Sequence, residues 1–281
     1  MASDLLNSKN GIITNMKLGI VLSTQAAKFS ALAYKGQLAE NAAKISRLGF
    51  DGIELAIRDP QVVNLSEIKS LLKELDLTVP AIGTGQAFGE EGLSFVNADE
   101  SIRHGAIERI KSHMHLAESL ESMVIIGLIR GFKEKDISEQ QTENWLVEAL
   151  RECAQENENV KLIIEPINRY ESDLICTVRE GMELMEKVEY QNVGLLLDSF
   201  HMNIEEPSIY ESINIAKDRL YHFHIADSNR WYPGAGHLDF PKIINVLKEI
   251  DYQGFVSAEI LPYPNPDEAA EQTVKYMRNL V

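Results

Sequence analysis

Apolar and polar positions along the chain follow two alternating periods. Short runs of consecutive aliphatic or β-branched residues recur between turn residues, and each is followed by a stretch with apolar side chains at helical spacing. The runs are LGIVLST from Leu18, GIELAI from Gly52, TVPAIGT from Thr78, SMVIIGLI from Ser122, KLIIEPI from Lys161, VGLLLDS from Val193, RLYHFHIAD from Arg219 and GFVSAEIL from Gly254. Between them lie amphipathic patterns such as Leu38, Ala42, Ile45 and Leu48 closed by Gly49, and Ile68, Leu71, Leu72 and Leu75 with Ser66 as the expected cap. Ala270, Val274, Met277 and Val281 form the last stripe. Runs that are apolar on successive residues suit parallel strands packed on both faces. Eight strand–helix units in this length predict an α/β fold and fit a closed (β/α)8 TIM barrel better than an open doubly wound sheet, although a count of units does not by itself prove closure. No linker or low-complexity segment divides the chain, so residues 16–281 read as one catalytic domain and residues 1–15 as an N-terminal extension with no expected order.

Composition narrows the function. The net charge of −16 and the lack of any Lys/Arg cluster exclude a phosphate backbone or an anionic membrane surface as partner. No apolar run approaches the roughly 20 residues of a bilayer span, and the opening residues lack a secretory pattern. Two isolated cysteines, Cys153 and Cys176, fit passive thiols in a reducing compartment, and a cytoplasmic location is expected. The longest interruptions, QAFGEEGLSFVNADE, FHMNIEEPS and SNRWYPGAGHLDF, follow the third, sixth and seventh strands, on the side where barrels build their sites.

Four consecutive strands carry a potential metal ligand at the end of an apolar run. These are Glu165 in KLIIEP, Asp198 in GLLLDSFH, His224 in YHFHIAD and Glu259 in FVSAEI. Any one of them alone would read as a strand cap or half of an ion pair. Four in one register, brought to one rim by a parallel barrel, place three carboxylates beside an imidazole and call for a cation. Carboxylate-rich coordination suits one divalent ion such as Mn²⁺, Co²⁺ or Mg²⁺ and leaves positions open for substrate oxygens. His222, one pleat deeper than His224, reads as a supporting or core histidine; Glu54 in GIELAI reads equally as a further site carboxylate or a buried hydrogen-bonded strut and is left out of the site.

The contexts EPINRYE, DSFHMN, HFHIADSNR and AEILP, in this order and spacing, together with GFDGIEL, resemble the metal-dependent ketose 3-epimerases of the xylose-isomerase-like barrel superfamily. The resemblance covers essentially the whole chain from Met16. It implies a (β/α)8 barrel with one divalent metal, usually Mn²⁺ or Co²⁺, held by Glu165, Asp198, His224 and Glu259. It also implies that Glu165 and Glu259 are the acid/base pair, and that Glu171, His201 and Arg230 hold the substrate's carbonyl and neighbouring hydroxyl. On fewer residues, AIGTGQAF, VIIGLIRG, HMNIEE and ADSNRWYPG are similar to the 5-keto-L-gluconate epimerases of bacterial inositol breakdown, which form D-tagaturonate. Gly85, Gln86 and Ala87 replace the bulkier, more aromatic residues of ordinary ketose epimerases and weigh against a simple free ketose.

The chemistry fits those residue types. A proton next to a ketone becomes removable when a Lewis acid stabilises the developing enediolate. A carboxylate on one face takes the proton and one on the other returns it, inverting the centre. His201, three residues after Asp198, is placed to donate to the oxygen that gains charge; Arg230 offers a forked donor set, and Glu171 accepts from a hydroxyl or orients Arg230. Arg58 in ELAIRDP and Arg130 in GLIRG, both just past strand ends, are candidates for a substrate carboxylate in a chain otherwise so acidic. An aldose–ketose isomerase would use the same site. A multi-zinc endonuclease for abasic sites fits poorly with 7 histidines and this charge, and a noncatalytic sugar binder would not need two carboxylates across a metal. The expected partner is a small ketose or keto sugar acid, with a homo-oligomer, dimer or tetramer, as the assembly. Trp231 and Tyr232 in RWYPGAG serve either to cap the substrate or to bury a subunit contact.

Overall fold

The computed structural model describes residues 16–281. The expected extension, residues 1–15, lies outside the described residues. Eight parallel strands close on themselves: β1 (Lys17–Ser23), β3 (Gly52–Ala56), β4 (Ala81–Gly83), β5 (Met123–Ile126), β6 (Leu162–Ile164), β7 (Val193–Asp198), β8 (Leu220–Ile225) and β9 (Phe255–Ala258). Pairing of β1 with β9, Leu18 against Val256 and Ile20 against Ala258, seals the barrel. A two-residue strand, β2 (Tyr34–Lys35), adds to the end of β1. The third run is shorter than its sequence pattern. Pro80 has no N–H to give the ladder, so Thr78 keeps only an isolated bridge to Gly52 and the regular strand starts at Ala81.

Each barrel strand is followed by helix. The helices are α1 (Leu38–Leu48), α2 (Leu65–Leu75), α3 (Gly85–Glu91), α4 (Glu100–Leu120), α5 (Glu139–Glu156), α6 (Val178–Val188), α7 (Ser199–Glu205), α8 (Ile209–Ala216), α9 (Phe240–Glu249) and α10 (Pro266–Met277). Gly49 ends α1 at φ 92°, as its sequence position suggests, because a left-handed residue there lets its N–H close on the Ile45 and Ser46 carbonyls. The cap of α2 is Asn64, whose side chain accepts from the Glu67 N–H; Ser66 lies inside the helix. Two interruptions that read as loops are partly helical, forming α3 and α7.

Strand periodicity decides what faces the barrel axis. Leu162, Ile164, Leu195, Leu197, Phe223, Ile225, Val256 and Ala258 belong to the large apolar core shared with the helices. Their alternates Ile163 and Leu196 join Ala81 and Ile125 in a separate cluster inside the barrel. The next inward positions along the same strands are Glu165 and Asp198, so an apolar floor lies beneath a polar mouth.

Close approach of β7 to β8 requires a residue without a side chain at Gly194. A Cβ there would overlap the Tyr221 ring and lie 2.7 Å from the Arg219 carbonyl oxygen, which the Leu195 N–H already uses. Gly194→Ala is therefore expected to destabilise the fold by about 1–3 kcal/mol through overpacking. Urea unfolding of the variant measures this, and an unchanged midpoint would show that the two strands have slack.

Candidate functional site

Glu165 and Glu259 lie one residue past the ends of β6 and β9, Asp198 ends β7, and His224 is the fifth residue of β8. Asp198 pairs with His224 across the ladder. One potential ligand atom from each of the four lies within 4.8 Å of the others. Asp198 is 0% exposed, His224 1% and Glu165 7%, and Glu259 is partly buried. Within the group, Glu165 Oε1, Asp198 Oδ2 and His224 Nδ1 are buried with no hydrogen-bond partner. An orphaned buried polar atom costs about 1–3 kcal/mol, so three of them converging on one point are explained by a shared partner that accepts lone pairs. A divalent cation fits; a water fits less well, since it can donate only two hydrogens.

Glu54, whose sequence context fits a strut and a site carboxylate equally, supports this centre. Its Oε2 accepts from His222 Nε2 at 2.9 Å and from His224 Nε2 at 2.8 Å, all three residues being at most 1% exposed. Burial would raise the Glu54 pKa, but the charges and hydrogen bonds of His224 and His222 outweigh it and hold the carboxyl at about 2. Burial also pushes His224 down, yet Glu54 and Glu165 lift it well above the usual histidine value. With Nε2 engaged, His224 turns Nδ1 toward the four-residue cluster, the arrangement a carboxylate imposes on a metal-binding histidine. Glu54, His222 and His224 also sit close enough to hold an ion themselves. Their facing atoms are already hydrogen-bonded to one another, however, whereas those of the outer cluster are not.

Three further groups predicted to hold substrate gather beside the cluster. Arg230 donates through Nη1 to both oxygens of Glu171, at 2.7 and 2.8 Å, and through Nη2 to Glu259 Oε2 at 2.9 Å. Its guanidinium also lies over the rings of Phe200 and Phe29, at 4.7 and 5.1 Å from the centroids. The backbone at Arg230 is left-handed, φ 62°, and is fixed by its own N–H to the Asp227 carbonyl and by Leu261 N–H to its carbonyl. His201 is 2% exposed, and burial, then Arg230 and His224, hold its pKa well below the ordinary histidine value. Asn168, which the sequence reading did not single out, contacts both His201 and Glu171.

These side chains open into a cavity of about 320 Å³ walled by apolar residues including Phe29, Leu32, Ile125 and Leu128. Neither arginine expected at a substrate carboxylate lines it. Arg130 is 0% exposed and spends its guanidinium on the carbonyls of Leu174, Gly127 and Ile175 and on Ser172 Oγ, stapling distant loop segments together. Arg58 pairs with Glu90 and Glu91. The cation that lines the cavity besides Arg230 is Lys28, whose ammonium forms no ion pair among the described residues.

The ionisation of the cluster sets how metal and pH act together. Burial pushes Asp198 up to about 6, against His224 and Arg230, and pushes Glu259 up to about 8, against Arg230 and with Glu165. A raised carboxyl pKa means that the folded metal-free protein holds these protons more tightly than the unfolded chain. That contribution to stability is present below the ordinary carboxylate range and is lost as pH rises through 6 and 8. A cation binds the deprotonated groups and removes the loss. The rise in Tm on adding Mn²⁺ is expected to grow from pH 5 to pH 8; calorimetry showing a constant or shrinking rise would contradict the assignment. Glu54→Gln is expected to weaken Mn²⁺ binding about 10–100-fold, as read by titration calorimetry, with the four cluster residues intact.

Comparison with known proteins gives a consistent placement. The family model described as xylose isomerase-like TIM barrel matches residues 42–280. The chain is 30% identical over 240 residues to an L-ribulose 3-epimerase of Methylomonas sp., covering 84% of this chain and 82% of that protein. It is also 30% identical over 246 residues to a D-psicose 3-epimerase of Ruminiclostridium cellulolyticum, covering 84% and 82%. Among solved structures, the 3-keto-D-glucoside 4-epimerase of E. coli superposes with a TM-score of 0.78 at 23% identity over 94% of this chain and 99% of that one, a likeness of fold. The closed barrel, its rim of converging carboxylates and these matches together identify the chain as a member of the xylose isomerase-like TIM barrel family.

Proposed function

We propose that this protein is a divalent-metal-dependent epimerase that inverts the hydroxyl-bearing carbon beside the ketone of a ketose or keto sugar. The observation that carries the reading is the set of three buried, partnerless ligand atoms on Glu165, Asp198 and His224, completed by Glu259. Relatives named as 3-epimerases, and one as a 3-dehydro-D-guloside 4-epimerase, support the reaction type. A cation held by these four groups supplies Lewis-acid stabilisation of the negative charge that develops on the ketone oxygen, and Mn²⁺ suits the three-carboxylate, one-imidazole donor set.

The chain's own groups do the rest. Glu165 and Glu259 come from strands on different sides of the mouth, and each takes or returns the proton from its own face of the carbon. Arg230 donates to Glu259 Oε2 and so fixes where that carboxyl group meets the reacting carbon. Arg230 and Glu171 form a donor–acceptor pair suited to adjacent oxygens, while the apolar wall limits water. An aldose–ketose isomerase would return the proton to the neighbouring carbon; two carboxylates able to reach opposite faces favour epimerisation. The ammonium of Lys28, unpaired among the described residues, favours a keto sugar acid, such as 5-keto-L-gluconate, over a neutral ketose as the best substrate, taking the place of Arg58 and Arg130.

Incubation of the Mg²⁺-loaded protein in D₂O with a panel of ketoses and keto sugar acids tests the reaction by proton NMR. Deuterium next to the ketone together with an inverted centre is expected; an aldose product would establish the isomerase. Glu165→Gln and Glu259→Gln are each expected to lower kcat at least about 100-fold. Lys28→Met is expected to raise KM for keto acids while leaving KM for neutral ketoses nearly unchanged, and equal effects on the two classes would remove the carboxylate reading.

A further inference from the structure

The hydrogen-bonding polarity around His201 is fixed by one buried amide. Asn168 is 1% exposed, and its Oδ1 accepts from the Tyr170 backbone N–H at 2.9 Å. A backbone N–H can only donate, so this contact must take the amide oxygen, and the Asn168 NH₂ is left facing the other way. There it donates to His201 Nδ1 at 2.7 Å and to Glu171 Oε1 at 3.0 Å. The His201 Nδ1 must therefore carry a lone pair, which places the single imidazole proton on Nε2. That nitrogen stands 3.8 Å from Glu165 Oε1 and 3.9 Å from Asp198 Oδ2, too far for a hydrogen bond to either. His201 lines the cavity, so its Nε2–H is an uncommitted donor between the candidate metal ligands and the substrate space.

We propose that Asn168 is a positioning residue: it holds His201 as a neutral Nε2–H donor for the substrate oxygen that gains charge, and through Glu171 it aligns Arg230. The proposal deepens the epimerase reading and rests on it for the identity of that oxygen. One short turn makes both actions possible, since the Asn168 carbonyl accepts the N–H groups of Glu171 and Ser172 at 2.9 and 3.0 Å. From Asn168 the connection runs to Glu171, to Arg230 and on to Glu259, so a single amide sets the donors on both sides of the reacting carbon. A neutral donor suits this place because it stabilises an oxyanion without adding a positive charge beside the cation site and Arg230.

The test is the tautomer of His201 in the Mg²⁺-loaded, ¹⁵N-histidine-labelled protein, read by long-range ¹H–¹⁵N correlation and assigned by its loss in His201→Gln. The wild-type protein should show a protonated Nε2 and a bare Nδ1. In Asn168→Asp the new carboxylate can only accept, so His201 should take a proton on Nδ1, and kcat should fall about 100-fold while Mg²⁺ binding persists. Glu171→Gln should leave the His201 tautomer unchanged, separating the two actions of Asn168. A wild-type His201 protonated on Nδ1, or an Asn168→Asp protein with an unchanged tautomer, would overturn the proposal, and the wild-type spectrum decides the first point even if the variant does not fold. Should every sugar prove inert while the tautomer is as expected, the epimerase reading falls and the positioning of His201 stands.

Discussion

Three carboxylates and an imidazole whose facing atoms lie within 4.8 Å of one another, nearly shut off from water, are the constraint on which this structure turns. Bare charges cannot be held so close in a low dielectric. Some protonate, as the upward push on Asp198 and Glu259 records, or a cation joins them. The surrounding architecture maintains that crowding. Period-two alternation along the strands seats Ile163 and Leu196 as an apolar floor and brings Glu165 and Asp198 to the next level. Glu54, tied to both His222 and His224, sets the orientation of the one imidazole in the group.

The mouth above the cluster is organised by polar residues that spend most of their bonding capacity on the protein itself. Asp227 accepts the backbone N–H groups of Ser228, Gly234 and Leu238 and so ties down the loop that follows β8. That loop delivers Arg230 in its left-handed conformation, wedged over two aromatic rings and paired with Glu171 and Glu259. Arg130 performs a comparable task by binding backbone carbonyls between the segment after β5 and the one after β6. Against a rim held this firmly, the partnerless atoms of the cluster, the uncommitted Nε2–H of His201 and the ammonium of Lys28, unpaired among the described residues, carry the functional reading.

Much of this was legible in the sequence for a definite reason. A charged residue that closes an aliphatic run must be satisfied at a strand end, and four in one register on a closed barrel have only one place to meet. Glu165, Asp198, His224 and Glu259 stand out on that ground, and the closed sheet confirms the barrel. Glu54 was visible as a charge in GIELAI but gave no hint of its partners, because His222 and His224 lie 168 and 170 residues away. Arg130 was misread since a residue just past a strand end can point into the mouth or turn back toward the loops, and the sequence does not encode which; the carbonyls that claim it come from a segment more than 40 residues later. Lys28 sits in a stretch without periodicity, and Asn168 acts through a turn whose polarity appears only when the Tyr170 N–H is located.

Anomalous scattering from crystals grown with Mn²⁺ tests the central claim most directly. The account predicts one strong peak bounded by Glu165, Asp198, His224 Nδ1 and Glu259, with Glu54 still accepting from His224 Nε2. A peak seated instead among Glu54, His222 and His224, or none at all at millimolar Mn²⁺ and pH 8, would contradict it.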